Sequence, residues 1–178
     1  MNENGMIHLY YGDGKGKTSA AIGLAIRAAG NGFDVIFLQF MKSWDSGELA
    51  IFKNIPNIHL IRSRKFDGFS WSWTPQEREL IRKWNQELFF DAITNKDLQL
   101  DSPRLIIFDE LLNAIEKDLI DTDTVTDFLK NKPAALEVVL TGRNVSEELL
   151  GIADYASEIR NIKHPFSRGI VGRKGIEY

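Results

Sequence analysis

Apolar residues in this chain gather into short runs at 6–11, 34–40, 57–62, 104–109, 136–141 and 158–163. Runs of this length and composition predict strands. Two of them contain stretches that are apolar at every position, Leu105-Ile106-Ile107-Phe108 and Val138-Val139-Leu140, which predicts strands covered on both faces, as in a parallel sheet between two helix layers. Patterns of helical period lie between the runs, at 17–29, 75–93, 124–131 and 146–152. Thr74, Pro75 and Glu77 mark the start of the second pattern as an N-cap, a first-turn proline and an acid near the positive helix end. This alternation predicts a doubly wound α/β sheet. No repeat, low-complexity tract or long linker interrupts it, so 1–178 is expected to form one domain. Two stretches, 41–54 and 63–74, fit neither pattern: they mix Gly47, Asp67 and Gly68 with Trp44, Phe69, Trp71 and Trp73, as functional loops often do.

Composition narrows the class. With 43% hydrophobic residues over 178 positions the chain can bury a core without staples. A net charge of −3 gives no electrostatic reason to expect a nucleic-acid partner. The absence of cysteine excludes disulfides and thiolate metal sites. Met1 to Gly5 is too short and polar for a signal peptide, and no apolar run is long enough to span a bilayer. A cytoplasmic protein that works away from membranes is therefore expected.

Chemistry concentrates after the first strand. Gly12-Asp13-Gly14-Lys15-Gly16-Lys17-Thr18 follows an apolar run and opens an alanine-rich helix, the context of a phosphate-binding loop. Glycines let backbone N–H groups turn toward phosphate oxygens, the helix start adds its positive dipole end, and a lysine ammonium neutralises phosphate charge. Thr18 can supply a hydroxyl to a bound magnesium ion. The usual pattern has a glycine five residues before Gly16, where this chain has Tyr11, so the loop is one residue tighter. The small residues Ala20, Ala21, Gly23, Ala25 and Ala28 permit the following helix to approach the sheet closely. A second element, Leu105-Ile106-Ile107-Phe108-Asp109-Glu110, delivers two acids at the carboxyl end of a strand, where open α/β sheets bind ligands, and resembles a Walker B strand. Taken alone it reads as solvated acids after a core strand; beside the loop, Glu110, with Asp109 as the alternate, becomes a candidate for metal. His8, His59 and His164 have no metal-ligand partner at useful spacing and are read as structural.

These strings, together with Gln39-Phe40-Met41-Lys42, Gly68-Phe69-Ser70-Trp71, Thr141-Gly142-Arg143, Lys163-His164-Pro165-Phe166 and the final Gly175-Ile176-Glu177-Tyr178, resemble the P-loop type of ATP:corrinoid adenosyltransferase along nearly the whole chain. The resemblance implies a single-domain P-loop NTPase-like (RecA-like) fold, with a mostly parallel doubly wound sheet and helices on both faces. It further implies transfer of the 5′-deoxyadenosyl group of ATP to the Co(I) centre of a reduced corrinoid, with release of triphosphate, in adenosylcobalamin synthesis or salvage. The acceptor would be cob(I)alamin or a cobyrinic acid derivative, the metal Mg2+ or Mn2+, and the Co(II) reductant a flavoprotein or another donor. By the same resemblance Gly12, Asp13, Gly14, Lys15, Gly16, Lys17, Thr18 and Arg27 bind nucleotide, and Thr18 and Glu110 hold metal. Lys17, Glu110, Phe69 and Trp71 serve catalysis, and the chain forms a homodimer. Arg27 stands nine positions beyond Thr18, about 14 Å along a helix axis, so it reaches the same phosphates only if the nucleotide or a partner chain extends to it. Lys42 and Glu48 fall near the expected site and read otherwise as solvated charges. Some members of the family carry a longer segment before the first strand, and a tyrosine is common where this chain continues Leu111-Leu112-Asn113-Ala114. Two alternatives remain open from sequence: a P-loop phosphotransferase or ATPase acting on another substrate, and a module in which nucleotide only regulates a protein partner.

Overall fold

In the computed structural model, residues 4–42, 46–64, 72–94 and 104–176 are described. The strands are β1 (Ile7–Tyr11), β2 (Val35–Gln39), β3 (Ile58–Arg62), β4 (Leu105–Asp109), β5 (Glu137–Gly142) and β6 (Tyr155–Glu158). They form one sheet in the order β3-β2-β4-β5-β1-β6, with every pairing among the described residues parallel. The helices are α1 (Lys17–Gly30), α2 (Gly47–Phe52), α3 (Pro75–Thr94), α4 (Leu111–Glu116), α5 (Thr122–Asn131) and α6 (Glu147–Ile152), followed by a 3-10 turn at Pro165–Arg168.

Alternation along the strands builds a core on each face of the sheet. Val35, Phe37, Leu105, Ile107 and Val139 meet Ala21, Ala25, Ala28 and Ala29 of α1 and Phe52 of α2. On the other face, Ile36, Leu38, Ile106, Phe108, Val138 and Leu140 meet Ile81 and Phe89 of α3, Leu111 and Leu112 of α4, Val125 and Leu129 of α5, and Leu149 of α6. β2 and β4 are thus buried throughout, and β5 from Val138 on, as their unbroken apolar runs require. Ala20 and Gly23, expected to help α1 approach the sheet, lie exposed instead, because they fall outside the stripe of about 100° that faces the core.

The start of α3 carries the predicted cap. Glu77 Oε2 accepts from the Thr74 N–H at 2.7 Å, and the Glu77 N–H donates back to Thr74 Oγ1 at 3.3 Å, so both ends of a capping box are made. One predicted strand is misplaced. The sheet takes Tyr155–Glu158, and 159–163 lie beyond its end. The residues after Glu158 are used for bracing: the Ile159 N–H donates to Tyr11 O and the Ile159 carbonyl accepts from the Gly14 N–H, at 2.7 and 2.8 Å.

The consequence for function is topological. β5 separates β1, which feeds the glycine-lysine loop, from β4, which ends in Asp109 and Glu110. Because all strands are parallel, their carboxyl ends lie on one side of the sheet, and the loop and the acids share that side.

Candidate active site

The loop after β1 is held by its neighbours as much as by itself. Its Gly12 and Gly14 amides donate outward, to Arg143 O and Ile159 O at 2.8 Å each, so these two N–H groups do not converge on a phosphate position. Their glycines answer a steric need: a Cβ on Gly12 would lie 2.4 Å from Ile159 O, and one on Gly14 would lie 2.7 Å from the Arg160 backbone. Gly12 and Gly16 also take φ of 113° and 121°, which L side chains rarely adopt. Asp13 Oδ1 accepts from the Asn161 N–H at 2.9 Å, adding a third tie to the same segment.

Inside the loop, Lys17 Nζ donates to the carbonyls of Gly12 and Gly14 at 2.7 and 2.8 Å. Burial lowers the Lys17 pKa below the usual lysine range, with Glu110 opposing this and Arg143 adding to it. α1 has Gly16 at its N-cap position, hence no side-chain cap, and no acid in its first turn, so its opening amides keep the partial positive charge that favours an anion.

Opposite the loop, Asp109 is fully buried at the end of β4 and forms a hub. Its Oδ1 accepts from the Thr18 and Thr141 hydroxyls at 2.8 Å each, and its Oδ2 lies 2.6 Å from Lys42 Nζ. Lys42 Nζ is also 3.1 Å from Thr18 Oγ1. The next residue, Glu110, takes left-handed φ of 66°, and Met41 at the end of the adjacent β2 takes 56°. Non-glycine residues seldom accept this conformation, and here it turns both chains sharply as they leave the sheet. Glu110 accepts from Asn113 Nδ2, and its N–H donates to Thr141 Oγ1 at 2.9 Å. Burial first, and then the charge of Asp109, raise the Glu110 pKa above the usual carboxylate range. The Thr18 hydroxyl and the two carboxylates are hard oxygen donors that suit Mg2+ or Mn2+, and a cation, the Lys42 ammonium, already sits against two of them.

These groups open on a cavity of about 490 Å³. Of the residues expected from sequence to hold nucleotide or metal, Gly14, Lys15, Gly16, Lys17, Thr18 and Glu110 line it, together with Lys42 and Glu48. Gly12 and Asp13 are in the loop but face a different hollow, beside Arg143 and Arg160. Arg27 lies exposed in the last turn of α1 and does not line the cavity. Phe69 and Trp71 are outside the described residues. His164, read from sequence as structural, caps the 3-10 turn by accepting from the Phe166 N–H at 3.2 Å and also lines the cavity, with Gly175 and Ile176. Sequence reading gave Asp109 second place and missed Thr141 as its partner. A threonine one strand over, in a parallel register that aligns Phe108 with Leu140, is a signal only once strand order is known.

Comparison with known proteins gives the family. A family model described as ATP:corrinoid adenosyltransferase BtuR/CobO/CobP matches residues 3–178. The corrinoid adenosyltransferase of Escherichia coli (strain K12) is 34% identical over all of this chain and 88% of its own length. Corrinoid adenosyltransferase CobA of Salmonella typhimurium is 30% identical over the same shares. Among solved structures, ATPases 2 and 3 of EssC from Geobacillus thermodenitrificans superimpose with a TM-score of 0.50 at 12% identity, covering 97% of this chain and 35% of that one, a likeness of fold alone. On the strength of the family match along its length, this chain belongs to the ATP:corrinoid adenosyltransferase BtuR/CobO/CobP family.

Proposed function

We propose that this protein transfers the 5′-deoxyadenosyl group of ATP to the Co(I) centre of a reduced corrinoid and releases triphosphate. Family membership supports the reaction, and one observation carries it to these residues: the Lys17-Thr18 loop and the Asp109-Glu110 strand end meet over one cavity. In the reaction the electron pair of Co(I) attacks ribose C5′, a cobalt–carbon bond forms, the C5′–oxygen bond breaks, and the triphosphate leaves with its charge. Cobalt in this state is itself the nucleophile, so no side-chain base is required.

The protein's task is electrostatic and positional. Lys17, in reach of the loop carbonyls, exchanges them for phosphate oxygens, whose negative charge offsets what burial costs the ammonium. Lys15 and the opening amides of α1 add positive potential on the same wall of the cavity. A divalent ion, Mg2+ or Mn2+, held by Thr18 with Glu110 or Asp109, supplies further neutralisation of the leaving charge. Phe69 and Trp71 cover the lower axial face of the corrin, which makes Co(II) easier to reduce. Arg27 stands away from the cavity of its own chain, so it contributes only where the nucleotide or a partner chain extends to it.

The proposal extends to the setting: one catalytic domain, paired as a homodimer in the cytoplasm, served by a flavoprotein or another Co(II) reductant, with no nucleic-acid or membrane partner. Exposed Tyr155 in β6 and exposed Ile162, Phe166 and Val171 in the segment that follows it support a subunit contact through these residues. No helix among the described residues is long and apolar enough to cross a membrane. The test is product analysis with ATP, Mg2+ and chemically reduced cobalamin. Triphosphate and an adenosyl-cobalt spectrum are expected; ADP and phosphate would instead identify a phosphotransferase or ATPase.

A further inference from the structure

Lys42 leaves the end of β2 and places its ammonium 2.6 Å from Asp109 Oδ2 and 3.1 Å from Thr18 Oγ1. Asp109 is fully buried, and its other oxygen is taken by two hydroxyls, Thr18 and Thr141. A carboxylate this deep demands a compensating cation. Lys42 is that cation, with its own side chain only 15% exposed.

The same Thr18 hydroxyl and Asp109 carboxylate are donors that the functional reading gives to a divalent ion. Magnesium binds oxygen at about 2.0–2.1 Å, whereas an ammonium keeps about 2.7–2.9 Å from it. One position against these two oxygens therefore holds either the metal or the lysine. Lys42 also lines the cavity in which the phosphates would lie, so when it leaves Asp109 an anion within reach can take up its charge.

We infer that Lys42 is a positioning residue, a tethered cation that competes with the divalent ion for Asp109 and Thr18 and so makes metal binding depend on the polyphosphate. Without nucleotide, a metal entering at Asp109 moves the ammonium off the buried carboxylate into the cavity, where Glu48 and Glu110 are its counter-charges and Glu110 is itself claimed by the metal. With nucleotide, the phosphates receive the ammonium as the metal takes the acid. This inference rests on the metal reading above.

The experiment titrates the protein with Mn2+ alone, without nucleotide, following the free-ion signal by electron paramagnetic resonance, for the natural protein and for Lys42→Met. Lys42→Met is expected to bind Mn2+ at least about tenfold more tightly. In metal-free buffer it should melt below the natural protein, because Asp109 is left buried and unpaired, and Mg2+ alone should restore more of its Tm than the natural protein gains. Lys42→Met with Asp109→Asn should lose that Mg2+ response, a readout that a merely structural lysine would not move. Lys42→Gln, which keeps an N–H donor for Asp109 without the charge, gives the same reading if methionine is not tolerated. Equal or weaker Mn2+ binding in Lys42→Met and Lys42→Gln overturns the inference while leaving the metal site intact, provided ATP binding by the natural protein is strengthened by Mg2+. If ATP binding is indifferent to Mg2+, the metal reading fails and the inference with it.

Discussion

Glu110, the acid proposed to hold metal, carries a charge that works against the stability of its own fold. Its pKa is raised by burial and by Asp109, so the folded chain holds this proton more firmly than the unfolded chain does. Any stability it contributes is present below its ordinary pKa and is lost as pH rises through the raised value. Glu110→Gln keeps an acceptor for Asn113 and removes the buried charge. It is predicted to raise Tm at pH 8 while slowing turnover, and the gain in Tm should shrink toward about pH 4, where the natural carboxyl is itself neutral. A Tm difference that stays constant with pH in thermal scans would show that the carboxyl's charge is not what costs stability. For the aromatic pair the prediction separates two readouts: Phe69→Ala or Trp71→Ala should impair reduction of bound Co(II), followed spectroscopically, more than ATP binding. Equal loss of both would remove their assignment to the corrin. The glycine-lysine string with α1 behind it, and the acids at the end of the β4 run, could be read from residue types at short spacing. Asp109 as the hub could not, because its partners Thr18, Lys42 and Thr141 lie 91, 67 and 32 positions away and meet only through strand order.

The loop and its helix make opposite demands on glycine. Gly14 is pressed against the Arg160 backbone, where a Cβ would sit 2.7 Å away, whereas a Cβ on Gly23, midway along α1, would meet nothing within 4 Å. Gly14→Ala should therefore destabilise by about 1–3 kcal/mol through overpacking and loosen the loop for ATP. Gly23→Ala should stabilise by roughly 0.5–1 kcal/mol through helix propensity and leave ATP binding unchanged. Denaturant unfolding and ATP titration of the two variants check both signs. Elements with a strong period or a cap, such as α1 and α3, were visible in the pattern. α2 and α4 were not, because six-residue helices are too short to establish a period, and α2 follows directly on turn-forming, aromatic sequence. The β6 run was displaced because 159–161 carry backbone bonds to the loop, a tertiary use that leaves no mark on hydropathy.

Across the protein, parallel strand order is what turns separate motifs into a site. Inserting β5 between the loop-bearing and acid-bearing strands leaves room at their carboxyl ends for the cavity, and two left-handed residues, Met41 and Glu110, steer the chain out of the sheet around it. This arrangement could grip a polyphosphate as a leaving group just as readily as it could present a terminal phosphate, so the fold alone does not choose between adenosyl transfer and phosphoryl transfer. The choice is made by which atom of ATP meets the acceptor. The measurement that decides it is single-turnover NMR with ATP labelled with carbon-13 at C5′, mixed with the protein, Mg2+ and chemically reduced cobalamin. The label should move to a carbon bonded to cobalt, with all three phosphorus atoms recovered in one triphosphate; label retained in ADP, with phosphate released, would contradict the account.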